Sequence, residues 1–306
     1  MLYSRQTAIR QNLVLRSQIV QAIRSFFTHA GYLEVETPIR IPAPAPEAHI
    51  DAQESGSWFL QTSPEICMKR LVASGFEKIF QICKCFRKNE RGELHIPELT
   101  MLEWYQANAT YLDLMTECEN LVTEVVRSIR TGPLLRLENQ TIDLSPPWDR
   151  IRVSDAFKHY ASISMDTALS ENRFDEVIGI EIQPRLGKNK PVFLYDYPSA
   201  CAALARRKPL QPEYAERFEL FINGIELCNC FTELTDPDEQ RDRFEKELAY
   251  RNTMNKKIYP MPERFLQSLK EMPPTAGNAL GLDRLVMLLA HAKKIDDIVT
   301  FTPEEL

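Results

Sequence analysis

The sequence predicts an α+β fold, and three observations carry that prediction. Residues 5 to 30 and 112 to 129 place apolar side chains at helical spacing. Two pairs of strand-like runs close on themselves, one around a charged loop between residues 79 and 105, the other around Asn223-Gly224 between residues 216 and 234. A third segment, punctuated by Gly277 and Gly281, runs straight into an apolar helix. With 306 residues, 44% of them hydrophobic, the chain holds enough apolar surface for one large core or two modest ones.

Taken in order, Ile9, Leu13, Val20, Ile23 and Phe27 recur on one helical face, and Gly31 follows where a helix ends in a left-handed residue. "YLEVETPI" then alternates as a strand does until Pro38 removes a donor, and "RIPAPAPEAHI" is stiff and extended. Strands are expected at 58 to 61 and 79 to 87, with a short helix opened by Ser63-Pro64-Glu65 between them. Residues 135 to 190 are weakly patterned: "VSDAFKHYA" reads as a helix capped by its Ser, and "RLGKNKP" as an exposed loop.

A net charge of −6 argues against general nucleic-acid binding, which needs a basic surface. No apolar stretch is long enough to cross a bilayer and no signal peptide is evident, so a cytoplasmic protein is expected. Seven cysteines fit reduced thiols. The pairs Cys83/Cys85 and Cys228/Cys230 could meet as a four-thiolate zinc site, but their one-residue spacing favours ordinary strand cysteines.

Chemistry is concentrated in three places. In the first pair of strands, Arg87 stands at the mouth of the loop, and Glu103 and Tyr105 share a face with Leu99 and Met101. A buried carboxylate beside a phenol needs a cation, either a ligand ammonium or an internal Lys or Arg. In the second, a two-residue turn at Asn223-Gly224 sets Phe221 opposite Glu226 and Glu219 opposite Cys228, with Glu219 and Glu226 diagonal on one face. Such a pair either binds a hard cation such as Mg²⁺ or stays a surface pair. Asn229 and Glu233 have the opposite parity, so a common site requires a bulge near residue 228. In the third, Arg284 begins a helix, where a cation suits a bound anion and not the helix itself.

Together these features resemble the three signature motifs of class II aminoacyl-tRNA synthetases. The first helix, strand and Pro38 resemble motif 1, "FRKNERGELHIPELTMLEWY" motif 2 and "GNALGLDRL" motif 3. "TSPE", "HIPELTMLEWY" and "IELCNCFTELTD" are similar to the lysyl branch, and the start of the chain at motif 1 resembles the truncated lysyl-tRNA synthetase paralogues that modify translation elongation factor P.

The resemblance implies a single catalytic domain over residues 1 to 306, an antiparallel sheet flanked by helices, with the stretch around 135 to 190 as an insertion. It implies ATP and Mg²⁺ as cofactors and lysine or β-lysine as substrate. Arg87 and Arg284 would be the catalytic cations on phosphate, and Glu90, His95 and Leu99 would complete the ATP site. Glu219 and Glu226 would hold Mg²⁺. Glu65 would take the substrate amino group, Asn229 its carboxylate, and Glu103, Tyr105 and Glu233 the distal ammonium. Ala279, where lysyl-tRNA synthetases carry Gly, would favour an amino group displaced by one carbon. Asn89, Ile96, Leu99 and Cys230 depart from the family pattern.

The implied partners are elongation factor P as acceptor, with the basic loops 185 to 190 and 206 to 208 as docking surface, and a second copy in a symmetric dimer. Stable tRNA binding is not expected of so acidic a chain. Activation of an amino acid for tRNA or a small-molecule acceptor, and a catalytically silent synthetase-like binding module, are the alternatives.

Overall fold

The computed structural model describes residues 4–129, 132–137 and 140–306. The first helix is broken at Ile9 into Arg5–Ala8 and α1 (Arg10–His29), and Ser4 caps its start. Gly31 takes the expected left-handed conformation, at φ +80°. Ile19, Ile23 and Phe27 form the buried stripe; Ile19 occupies the place the sequence suggested for Val20. The strand after it is short, β1 (Leu33–Glu34). Then follow α2 (Glu65–Ala73), β2 (Lys78–Phe86), β3 (Glu98–Ala107) and α3 (Tyr111–Ile129). Farther along lie β4 (Asp149–Arg152), a helix at Val153–Tyr160, β5 (Val192–Pro198), β6 (Gln211–Ile222) and β7 (Ile225–Thr232). The chain closes with α4 (Pro237–Thr253), β8 (Thr275–Gly281) and α5 (Leu282–Leu289), where strand passes into helix without a loop.

These elements form two compact units, Met1–Ala109 with Glu233–Leu306, and Thr110–Thr232. In the first, the strand order is β1-β2-β3-β8, parallel between β1 and β2 and antiparallel elsewhere. One face of this sheet is apolar: Phe27 stacks on Phe80 at 4.8 Å and lies 5.3 Å from Trp104, which fixes α1 against it. The other face carries Gln81, Cys83 and Cys85 opposite Glu103, Met101 and Leu99. In the second unit the order is β7-β6-β5-β4, with β4 and β5 parallel. Its core gathers Phe157, Phe174, Leu194, Tyr197 and Phe221.

Two local expectations are corrected. Ser154 lies inside its helix and does not cap it, since Arg152 occupies the capping position. The "RLGKNKP" segment is not an exposed loop: Leu186 and Gly187 are buried and accept the backbone N–H groups of Gly224 and Asn223, both at 2.8 Å. Gly187 has φ +68°, and a Cβ there would strike the backbone of Phe221. The seven cysteines lie outside disulfides, in keeping with reduced thiols, and among the described residues no cluster of three or more His, Cys, Asp or Glu is arranged to hold a metal. No helix among the described residues is long and apolar enough to cross a membrane.

Candidate active site

In the first unit, a charged pocket is built where α2 meets the polar face of the sheet. Ser63 Oγ donates to Glu103 Oε1 at 2.5 Å, and Tyr105 OH to Glu103 Oε2 at 2.9 Å. The cation the sequence left open is internal: Lys69, one turn after Glu65 on α2, pairs with Glu65 and lies 2.5 Å from Glu233 Oε2. Sequence reading missed Lys69, although its i,i+4 spacing from Glu65 on a short helix was the available signal. Glu65, Lys69, Glu103, Tyr105 and Glu233 are all buried. Three carboxylates therefore face one ammonium.

The electrostatics show the imbalance. Burial, reinforced by the charge of Glu65, pushes the Glu103 carboxyl up to about 8. Burial pushes Glu233 up to about 8 as well, against the pull of Lys69. Burial opposes the Lys69 ammonium too, but Glu233 and Glu65 outweigh it and hold its pKa above the usual value. Oε1 of Glu233 is enclosed without a hydrogen bond among the described residues. Gly277 pairs with Tyr105 across the sheet, and a Cβ on it would collide with the Tyr105 ring and the Glu233 carboxylate. Ala279, half-buried, lies opposite Glu103.

The loop between β2 and β3 brings together the residues expected to meet phosphate. Arg87 is half-buried at the loop mouth, its backbone N–H bonded to Pro97 O at 2.9 Å and its guanidinium 3.9 Å from Glu90. Arg284, in the first turn of α5, reaches His95 Nε2 at 2.6 Å. Beside it Asp283 is buried, bound to Arg16 at 2.6 Å and accepting the Thr100 N–H at 2.7 Å, which anchors the helix start to β3 and α1. Leu99 is half-buried on the face it shares with Glu103. Arg91 fastens the loop to the end of the chain through Asp296 and Glu304, each at 2.9 Å.

In the second unit, the expected register of the hairpin is changed by one residue. Phe221 pairs with Glu226 and Leu220 with Cys228, so Leu227 is an extra residue in β7. Glu219 consequently faces Asn229 and not Cys228. The bulge resolves the parity conflict, because Glu219, Glu226 and Asn229 now share one face. Glu219 is buried; Arg217 Nη2 lies 2.5 Å from its Oε1, and Tyr197 OH donates to Oε2 at 2.6 Å. Arg217 Nε also donates to Asn229 Oδ1 at 3.0 Å. Burial, and then the charge of Glu226, raise the Glu219 pKa, while Arg217 and Tyr197 pull it down. Two carboxylates on one face are hard oxygen donors of the kind a magnesium ion takes alongside substrate phosphates, and a cation there would relieve the repulsion that Glu226 imposes on Glu219.

The basic loops are less free than expected. Arg206 pairs with Glu216 and Lys208 with Asp196, both at 2.7 Å, and Arg185, itself exposed like Arg207, lies over the Tyr160 ring at 5.9 Å.

The family model for class II tRNA synthetases (D, K and N) matches residues 1–305, through both units. The lysine–tRNA ligase of Moorella thermoacetica is 36% identical over 96% of this chain and 65% of its own length. That of Dehalococcoides mccartyi is 36% identical over 95% and 64%. The chain thus spans slightly less than two thirds of these lysine–tRNA ligases. The elongation factor P–(R)-β-lysine ligase of Pectobacterium carotovorum is 37% identical over 96% of this chain and 95% of its own length.

Proposed function

The chain belongs to the class II tRNA synthetases of the D, K and N group, and on that premise we propose that it is an ATP-dependent ligase that activates lysine or (R)-β-lysine and transfers it to a lysine side chain of translation elongation factor P. The observation that carries this reading is the buried pocket in which Lys69 pairs with Glu65 and Glu233 while Glu103, bonded by Ser63 and Tyr105, adds a third buried carboxyl. A substrate with two amino groups supplies the positive charge the pocket lacks, whereas a neutral side chain would leave it uncompensated.

In the first step the substrate carboxylate attacks the α-phosphorus of ATP and pyrophosphate leaves. In the second, an acceptor amine attacks the carbonyl of the adenylate, AMP departs and the amine gives up a proton. Arg87 holds the α-phosphate and substrate carboxylate, Arg284 the γ-phosphate, and Glu90, His95 and Leu99 line the remainder of the ATP site. Glu65 receives the amino group nearer the carboxylate, Glu103, Tyr105 and Glu233 the distal ammonium, and Asn229 the carboxylate. Glu219 and Glu226 would hold Mg²⁺, which supplies neutralisation of phosphate charge. No protein nucleophile is required; positioning and cationic stabilisation carry the reaction.

The acceptor assignment is supported by Ala279 in the pocket wall, opposite Glu103, and by a net charge of −6, a poor match for a polyanionic tRNA. A cytoplasmic location follows from such an acceptor. A symmetric homodimer is supported by Val14, Leu33 and Ile39, large apolar residues around motif 1 that are 52%, 51% and 44% exposed. Light scattering should give twice the chain mass at micromolar concentration, and a monomer would remove that part.

The test of the function is lysine-dependent ATP–pyrophosphate exchange, followed by incubation with elongation factor P or total tRNA. Arg87→Ala and Glu226→Ala should each reduce exchange by at least the equivalent of about 3 kcal/mol. Equal exchange with neutral amino acids would overturn the pocket assignment. Charging of tRNA with no mass gain on the factor would keep the adenylate and replace the acceptor.

A further inference from the structure

Cys83 and Cys85 stand two residues apart on β2 and so on the same side of the sheet, with their Sγ atoms 3.9 Å apart. The register sets Cys83 opposite Met101 and Cys85 opposite Leu99, which places two thiols and a thioether on the face that also carries Glu103. Cys85 is enclosed, Cys83 is half-buried, and Gln61 Nε2 lies 3.5 Å from the Cys83 sulfur. Both thiols are free. The Cys85 proton is held tightly, chiefly through its hydrogen bond to Cys83 and then through burial, and Arg87 works in the opposite direction.

The spacing is informative because a cation bound by two thiolates at about 2.3 Å with tetrahedral angles separates the sulfurs by about 3.8 Å. The strand therefore holds the two sulfurs at chelating distance before any metal arrives. Thiolate and thioether donors select soft cations over the hard, oxygen-seeking Mg²⁺ that the proposed reaction uses. A second pair in the molecule provides an internal control: Cys118 and Cys228 approach to 3.8 Å, but both are fully buried between α3 and β7. Equal spacing without access predicts no binding there.

We propose that Cys83 and Cys85, with Met101 beside them, form a binding site for a soft, thiophilic d¹⁰ cation of the copper(I) and cadmium(II) class on the substrate-facing side of the sheet. Binding exchanges two S–H bonds for two S–metal bonds and releases two protons to solvent. The occupied site adds bulk and locks the two sulfurs in place between the Arg87 and Glu103 ends of that face, so it inhibits adenylate formation. The inhibitory part rests on the proposed function; the binding part does not.

The experiment titrates the full-length protein, without nucleotide, with cadmium(II), and follows equilibrium dialysis and the thiolate-to-metal charge-transfer absorbance. Wild-type protein should bind one ion per chain through these thiols. Cys83→Ser and Cys85→Ser should each weaken that binding by about 100-fold or more and abolish the absorbance, and Met101→Leu should weaken it by about tenfold. Cys118→Ser should leave it unchanged. Cys83→Ala, at the half-buried position, guards against misfolding of the Cys85 variant, with circular dichroism as the check. Undiminished affinity or absorbance in the Cys83 variants would overturn the site, as would a loss seen only in Cys118→Ser. Exchange assays then separate the two ideas: activity without cadmium that survives saturating cadmium defeats the inhibition, and no activity in its absence defeats the proposed function.

Discussion

The Glu219 region of the second unit and the Glu103 pocket of the first both bury carboxylates, yet they settle the charge differently. Glu219 has a dedicated counterion in Arg217, whose guanidinium also stacks 4.3 Å from the Tyr197 ring and donates to Asn229 and to the Cys201 carbonyl. Among the described residues the pocket of Glu65, Glu103 and Glu233 has Lys69 as its buried cation, and two of its acids respond by holding protons up to about pH 8. The lesson is that burial of a carboxylate does not by itself mark a ligand site. A shortage of internal positive charge is the stronger mark, and it is larger in the first-unit pocket than around Glu219, where Glu226 is the one added negative charge that raises the Glu219 pKa.

The largest effect that could break this contrast is on stability. Arg217→Met strands Glu219 in the interior and should cost about 3–5 kcal/mol in urea unfolding. Lys69→Met should cost less than that at pH 6, where Glu103 and Glu233 carry protons, and more at pH 9, where they are largely ionised. Equal, pH-independent losses at both sites would remove the distinction.

A second test separates charge from shape. Glu103→Gln keeps the size of a side chain that is mostly protonated at pH 7 in the empty protein. It should change unfolding free energy by less than about 1 kcal/mol, yet lower lysine-dependent exchange by about 100-fold, because a charge-assisted contact to the substrate ammonium is lost. A parallel drop in both quantities would make Glu103 a structural residue.

The smallest effect is in protons. The folded pKa values of Glu103 and Glu233 lie above the ordinary 4.5, so the folded protein retains protons that the unfolded chain has released. The stabilising contribution is complete below pH 4.5 and is lost as the pH rises through about 8. Lysine entering at pH 7 should therefore expel between one and two protons, measured by calorimetry in buffers of different ionisation heat. Binding without proton release would mean the pocket was already ionised.

Much of this was legible in the sequence. Period-two alternation located β2 and β3, Asn223-Gly224 located the β6–β7 turn, and Pro64 located the start of α2. The parity clash among Glu226, Asn229 and Glu233 even announced the bulge, although not that Leu227 would carry it. Other features were only partly signalled locally. Lys69 sits in "EICMKRLVA", where its i,i+4 spacing from Glu65 marks a helical pair, but nothing in that string says that the pair is buried. The helix α4 is so heavily charged that it lacks an apolar stripe; Asp236 capping it and Pro237 in its first turn were the readable marks. Leu186 and Gly187 looked like a solvated loop because their burial depends on the hairpin tip, distant in sequence.

The extra residue at Leu227 makes the local path of β7 matter as much as its composition. Straightening the strand with Leu227 taken into the ladder would turn Asn229 to the opposite side from Glu226, although every chemically important residue would still be present, whereas deleting Leu227 would leave the two residues two apart and on one side. The placement of Asn229 beside Glu219 is thus owed to a single backbone irregularity and to no side chain of its own.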